Sequence, residues 1–213
     1  KTRDVNMLPA LKRALPLTEP MTPEQIERID NASMQILENV GIQFRDPIAL
    51  DDWKKAGAKV DGEYVYIDRY LVKELIGTIP SKFTIHARNH ANDLPFGGDY
   101  SIFVPMTGAP YLRDLDDVRR EPTLADLANF HKLSNMLPAI HSSAHHIVEP
   151  GDHPISQRHL RITYSSIKHS DKTFMGMTTS PKNAEDVMEM CAILFGDEYL
   201  ETHPVCTGNC NGN

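Results

Sequence analysis

From residue 98 onward, strand-like and helix-like stretches alternate, and that alternation constrains the fold more than anything else in the chain. Tyr100–Pro105, Ile140–Val148, Lys172–Thr178 and Pro204–Asn209 read as short apolar strands. Between them lie three helical stretches, Leu124–Met136, Ser156–Lys168 and a third that runs through Phe195. Thr123 caps the first, and Ser180-Pro181 opens the third, because a hydroxyl before the first turn accepts an orphan backbone N–H. Strand and helix recur with a period of roughly 30 to 40 residues, the signature of βαβ units around a parallel sheet. The expected fold class is α/β, with residues 98–213 as the first four βα units, that is, the first half of a (β/α)8 TIM barrel. A doubly wound sheet is the alternative, although no glycine-rich dinucleotide fingerprint is present.

Residues 1–97 follow another pattern and are expected to form a mixed α/β N-terminal extension. Thr22-Pro23-Glu24-Gln25 is a capping box ahead of a helix whose apolar positions are Ile26, Ile29, Ile36, Leu37 and Val40, and Gly41 ends it. Ile42–Phe44 reads as a strand and Asp46-Pro47 as the start of a second helix, reaching Ala56. Asp61-Gly62 between Lys59-Val60 and Glu63–Ile67 is a hairpin signal. Asp68 caps a third helix over Leu71–Ile79, and Lys82–Arg88 reads as a strand. Gly97-Gly98 marks the boundary.

A formal charge of -7 argues against a nucleic-acid backbone or an anionic membrane surface as the main partner. No apolar run approaches the roughly 20 residues of a membrane span. The three cysteines, Cys191, Cys206 and Cys210, are an odd number and read as reduced thiols in a cytoplasm. The methionines, including Met175, Met177, Met188 and Met190, read as core filler.

Candidate site residues sit at the carboxyl ends of the expected parallel strands, where barrel and open-sheet proteins place ligand-contacting groups. Asn209, Asn211 and Asn213 alternate with Gly208, Cys210 and Gly212, so the three amides share one face. That polar tip suggests a site still assembling and a chain that is the first part of a longer enzyme. His141, His145 and His146, with Glu149 just beyond, crowd one strand. Their spacing matches no zinc signature, so they are read as site-lining or sheet hydrogen-bonding groups, and no metal is assigned. Small residues at Met106-Thr107-Gly108-Ala109 permit close backbone approach to a ligand. No Ser-His-Asp order, phosphate loop or HExxH motif stands out.

Several stretches, in order, resemble one family. They are Ile36–Ile42 (ILENVGI), Ala56–Gly62 (AGAKVDG), Phe83–Arg88 (FTIHAR), Asn92–Gly98 (NDLPFGG), Gly108–Tyr111 (GAPY), Thr123–Ala128 (TLADLA), Val148–Pro150 (VEP) and Lys168–Lys172 (KHSDK). Over Leu17–Asn213 the chain resembles the trimethylamine methyltransferase family of corrinoid-dependent methyltransferases. The resemblance implies a (β/α)8 barrel of about twice this length. It also implies methyl transfer from a methylamine or quaternary amine, such as glycine betaine, to the cobalt of a separate corrinoid protein, with no cofactor bound tightly. Founding members carry pyrrolysine in a second half not seen here. A homo-oligomer in the cytoplasm, with neither nucleic acid nor membrane as partner, completes the expectation. Strand-end position, rather than a family motif, assigns Tyr111 and Glu149 to the substrate cation. It likewise assigns Asn209, Asn211 and Asn213 to a carboxylate or pocket water, with His145 and His146 beside them. The rival expectation is a non-catalytic half-barrel that binds a small ligand or pairs through its open edges.

Overall fold

The computed structural model describes residues 8–144 and 146–209. These form an α/β structure in two compact units, one of residues 15–81 and the other of residues 82 onward together with the segment before residue 15. The expected boundary at Gly97-Gly98 thus falls inside the larger unit. A short strand, β1 (Leu11–Lys12), belongs to that unit.

In the smaller unit α1 (Pro23–Gln35) begins at the expected capping box: Thr22 Oγ1 accepts from the Gln25 N–H, and Gln25 Oε1 accepts from the Thr22 N–H at 2.9 Å. The helix widens into a π turn, Ile36–Val40, and Gly41 ends it at φ +73°. A Cβ on Gly41 would lie 2.9 Å from the Val65 carbonyl oxygen, so only glycine fits where the chain crosses the sheet. The sheet has the order β2 (Ile42–Gln43), β4 (Tyr64–Tyr66), β3 (Lys59–Asp61), all antiparallel, with α2 (Pro47–Lys55) between β2 and β3. Val65 at its centre is fully buried. Asp68 caps α3 (Arg69–Gly77), and Arg69 ties that helix to the π turn through a two-pronged bond to Glu38 (2.7 and 2.9 Å).

The larger unit opens with an antiparallel hairpin, β5 (Lys82–Ile85) and β6 (Leu94–Gly97), pinned by stacked Phe83 and Phe96. Next come β7 (Tyr100–Ser101), which pairs with β1, and a small hairpin, β8 (Leu112–Arg113) and β9 (Arg119–Arg120). After these, α4 (Leu124–Met136), α5 (Ile155–His169), β10 (Phe174–Met175), α6 (Pro181–Phe195), α7 (Asp197–Leu200) and β11 (Cys206–Thr207) follow in turn. The expected helices are present with their caps, since Thr123 and Ser180 accept from the N–H groups of Asp126 and Asn183.

The expected parallel strands are shorter than the sequence suggests. The stretch 102–105 carries no ladder, because the Phe103 N–H is taken by the side chain of His141 (2.9 Å). Among the described residues of 140–148 only isolated parallel bridges form, Ser142 to Thr173 and Ala109 to Val148. Ala144 lies there at φ +56°, a conformation that breaks a ladder, and the hydroxyls of Ser142 and Ser143 both donate to the Thr173 carbonyl. Of Lys172–Thr178 and Pro204–Asn209, only β10 and β11 are regular, and they pair in parallel.

Backbone bonds nonetheless lay four segments side by side in chain order. The His141 N–H donates to Phe103 and the Gly108 N–H to His146, Ser143 to Thr173 and Met175 to Ala144, and Gly176 to Thr207. Helices connect them, as parallel neighbours require. Leu127, Val148 and Ile162 form one core between α4, α5 and the segments, and Phe174, Val187, Cys191 and Val205 form the next, under α6. Polar bridges join successive helices: His131 to Ser165 and Ser166, and His159 to Asp186 (2.8 Å). Lys172 is buried, with its ammonium donating to the carbonyls of Ser134 (2.5 Å), Leu137 (3.0 Å) and Ile140 (2.6 Å) at the end of α4. Burial pushes its pKa down to about 8.

Candidate functional site

The side-by-side segments enclose a cavity of about 380 Å³. Ile102 and Val104, Ser142, Thr173 and Met175, Thr207 and Asn209 line it, with Phe174 and Gly208, between the members of the last two pairs, also at its edge and Ile85 and Phe96 of the β5–β6 hairpin on one side. Side chains two apart on an extended segment share a face, so the cavity is the common inner face of the four segments. Its walls are mostly apolar, with a few hydroxyls and one amide, the composition expected of a small-molecule site.

Farther along the second segment, His146 and Glu149 face each other, Nε2 to Oε1 at 2.6 Å. Glu149 Oε2 accepts from Arg158 Nη1 (3.1 Å), so both carboxylate oxygens are engaged. Burial pushes the His146 pKa down, and the Glu149 charge opposes this only in part. The imidazole is therefore neutral near pH 7 and donates its Nε2–H to Glu149, while the charges of Glu149 and Arg158 cancel. Gly108, at φ +81°, brings the first segment against this cluster: its N–H bonds the His146 carbonyl, and a Cβ there would sit 3.6 Å from His146 Nε2.

Among the residues expected from the sequence, His146 and Glu149 come together, and Asn209 lies at the cavity. Its backbone carbonyl accepts from Thr178 Oγ1 (3.1 Å). Tyr111 is half exposed and already holds a cation, with the Arg119 guanidinium 4.1 Å from its ring centre. His141 is structural: Nδ1 accepts from the Phe103 N–H, and Nε2 donates to the Pro9 carbonyl (3.3 Å). Cys191 and Cys206 are free thiols with sulfurs 3.9 Å apart. His145, Cys210, Asn211 and Asn213 lie outside the described residues. Sequence reasoning missed the apolar lining. The alternation Ile102, Val104 and Thr173, Met175 was its signal, but it marks an inner face only once the segments are known to be neighbours.

The protein is thus of the α/β class, with parallel segments in chain order, helices that connect them and a cavity along their common face. Comparison with known proteins narrows this. Residues 1–213 match the family model described as trimethylamine methyltransferase (MTTB). The glycine betaine methyltransferase of Desulfitobacterium hafniense (strain Y51) is 41% identical over 198 residues, 92% of this chain and 41% of that protein. Trimethylamine methyltransferase MttB of Desulfitobacterium hafniense (strain DSM 10664 / DCB-2) is 25% identical over 87% of the chain and 38% of its own length. Proline betaine:corrinoid methyltransferase of Eubacterium limosum is 30% identical over 59% of the chain and 26% of its own length. The chain belongs to the trimethylamine methyltransferase family, and it spans about two fifths of the length of the first two relatives. Among the described residues no helix is long and apolar enough to cross a membrane.

Proposed function

We propose that this protein is an enzyme that transfers a methyl group from a quaternary or tertiary methylamine, glycine betaine first among them, to the cobalt of a corrinoid carried by a separate protein. The observation that carries this is the 41% identity to glycine betaine methyltransferase over nearly the whole chain. The names of further relatives point the same way, each coupling a methylated amine with a methyltransferase. In this reading residues 98–213 supply the first four βα units of a (β/α)8 barrel, and residues 1–97 an extension ahead of it. The protein works in the cytoplasm, where Cys191 and Cys206 stay reduced, and as a homo-oligomer.

The chemistry asks little of acid or base groups. The methyl carbon of the donor accepts an electron pair from Co(I), the C–N pair leaves with nitrogen, and cobalt becomes methyl-Co(III). A quaternary donor departs as a neutral tertiary amine, so no proton has to be supplied. A tertiary donor reacts as its ammonium ion, protonated at nitrogen from solvent, and departs as a neutral secondary amine. The residues of the chain bind and orient. The apolar face of Ile102, Val104 and Met175 excludes water and accepts methyl groups, while Phe96 offers a ring to the cation. Asn209 supplies an amide for a donor carboxylate. Tyr111, Glu149 and His146 form the rim toward the carboxyl end, with Glu149 held in place by His146 and Arg158.

The test uses the full-length protein with a corrinoid partner reduced to Co(I), and with glycine betaine, trimethylamine, L-carnitine or proline betaine as donor. Conversion of the Co(I) spectrum to that of methyl-Co(III), with one demethylated amine per cobalt, is expected from at least one of them. Asn209→Ala should raise KM for a carboxylate-bearing donor about ten-fold and leave kcat nearly unchanged, as loss of one substrate hydrogen bond does. No transfer from any donor overturns the assignment.

A further inference from the structure

The turn of the β5–β6 hairpin gathers a second set of side chains. His86 follows β5, His90 opens a 3-10 turn, His90–Asn92, and Asp93 precedes β6. Their ligand atoms all lie within 4.8 Å of one another. His86 Nδ1 stands 2.9 Å and His90 Nδ1 3.3 Å from the same Asp93 oxygen, Oδ2. Donors around a tetrahedral zinc, with bonds of about 2.0–2.1 Å, are spaced about 3.3 Å apart, so both histidine–carboxylate spacings fit. The two imidazole nitrogens, within 4.8 Å of each other, have only to draw together to close on an ion.

The support behind these donors resembles that of a metal site. Asp93 Oδ1 accepts from the Ala87 N–H (2.7 Å), which leaves Oδ2 turned to the imidazoles. Asn89 and Asn92 fix the turn by donating to the two carboxylate oxygens of Asp171 (3.0 and 3.1 Å). The His86 N–H donates to the Pro204 carbonyl (2.7 Å), which holds the segment before β11 alongside. That segment brings His203, whose ring centre is 4.8 Å from that of His86 and whose Nδ1 meets the Thr202 hydroxyl (2.9 Å) and the Tyr199 carbonyl (3.2 Å).

A plain reading closes the turn with Asp93, Ala87 and His86 alone. It gives no role to His90, whose side chain is 67% exposed yet directed to the oxygen that His86 already occupies. The geometry points to a divalent transition-metal site formed by His86, His90 and Asp93, of the kind that takes Zn²⁺, with a fourth position for His203 or water. Two imidazoles and one carboxylate suit zinc and its first-row neighbours, whereas calcium and magnesium prefer oxygen throughout. Coordination through Nδ1 moves each ring proton to Nε2 and needs no other reactant.

Untagged protein, stripped with a chelator and dialysed, is titrated with Zn²⁺ by calorimetry and with Co²⁺ by visible absorption. One equivalent should bind, with a Co²⁺ spectrum of mixed nitrogen and oxygen ligands. His90→Ala, at an exposed position, and Asp93→Asn should each weaken Zn²⁺ binding at least ten-fold with unchanged circular dichroism, and His153→Ala should not. If neither ion binds, or if both variants bind Zn²⁺ as the wild type does, the cluster is a hydrogen-bonded turn and the proposal fails.

Discussion

Asp126 shows how much one side chain does at the start of α4. Its carboxylate accepts from the Thr123 N–H and hydroxyl and from two nitrogens of Arg120 (2.7 and 2.8 Å). The Arg120 guanidinium, helped by Thr123, outweighs burial and holds the carboxyl well below the usual carboxylate range. The folded pKa is thus below the unfolded one, near 3.9, so the unfolded chain binds the proton first as pH falls. This stabilisation is complete above about pH 5 and is lost as pH falls through the folded pKa. Asp126→Asn should cost roughly 1–3 kcal/mol at pH 7, and its deficit against the wild type should shrink below about pH 4 in urea titrations. Lys172→Met should cost a similar amount, about 1–3 kcal/mol, because it takes the ammonium from three carbonyls, of which Leu137 keeps the Ile140 N–H, and thermal melts at pH 7 check it. The site was legible only in part at this scale. The pairing of His146 with Glu149 is local and could be read from spacing. The engagement of Glu149 by Arg158 and the approach of Gly108 come from other segments and leave no mark in the local sequence.

At the scale of elements, caps were legible and strands were not. Thr22, Asp46, Asp68, Thr123 and Ser180 all cap the helices they precede, because capping is a bond between residues two or three apart. Strand length is set by a partner elsewhere in the chain. At 140–148 apolar composition suggested a continuous strand, yet Ala144 and the serine hydroxyls interrupt it. The β8–β9 hairpin escaped notice because its turn rests on side chains: Asp114 accepts from the N–H groups of Asp116 and Val118, and Asp117 adopts φ +62°. Glycine placement gives a test at this scale. Gly41 and Gly57 both have positive φ, but only at Gly41 would a Cβ meet backbone. Gly57→Ala should cost about 1–2 kcal/mol for conformation alone, and Gly41→Ala measurably more. Equal losses in calorimetry would remove the close contact with Val65 from the account.

For the whole molecule, the alternation of helix and strand foretold the α/β class and the parallel order, and both are present across four segments. Several large apolar side chains of the larger unit face outward, among them Met106, Leu115, Ile155 and Ile193. Apolar side chains left in water favour association. Expressed as these 213 residues alone, the chain should self-associate in sedimentation velocity at micromolar concentration, and Leu115→Lys together with Ile193→Lys should shift it toward the monomer. The Cys191–Cys206 pair turns the molecule into its own gauge. Cys191 is fully buried on α6, its sulfur 3.9 Å from that of Cys206 on β11. A thiol reagent therefore reaches Cys191 only when helix and strand part, and the rate of its labelling clocks how often this layer breathes.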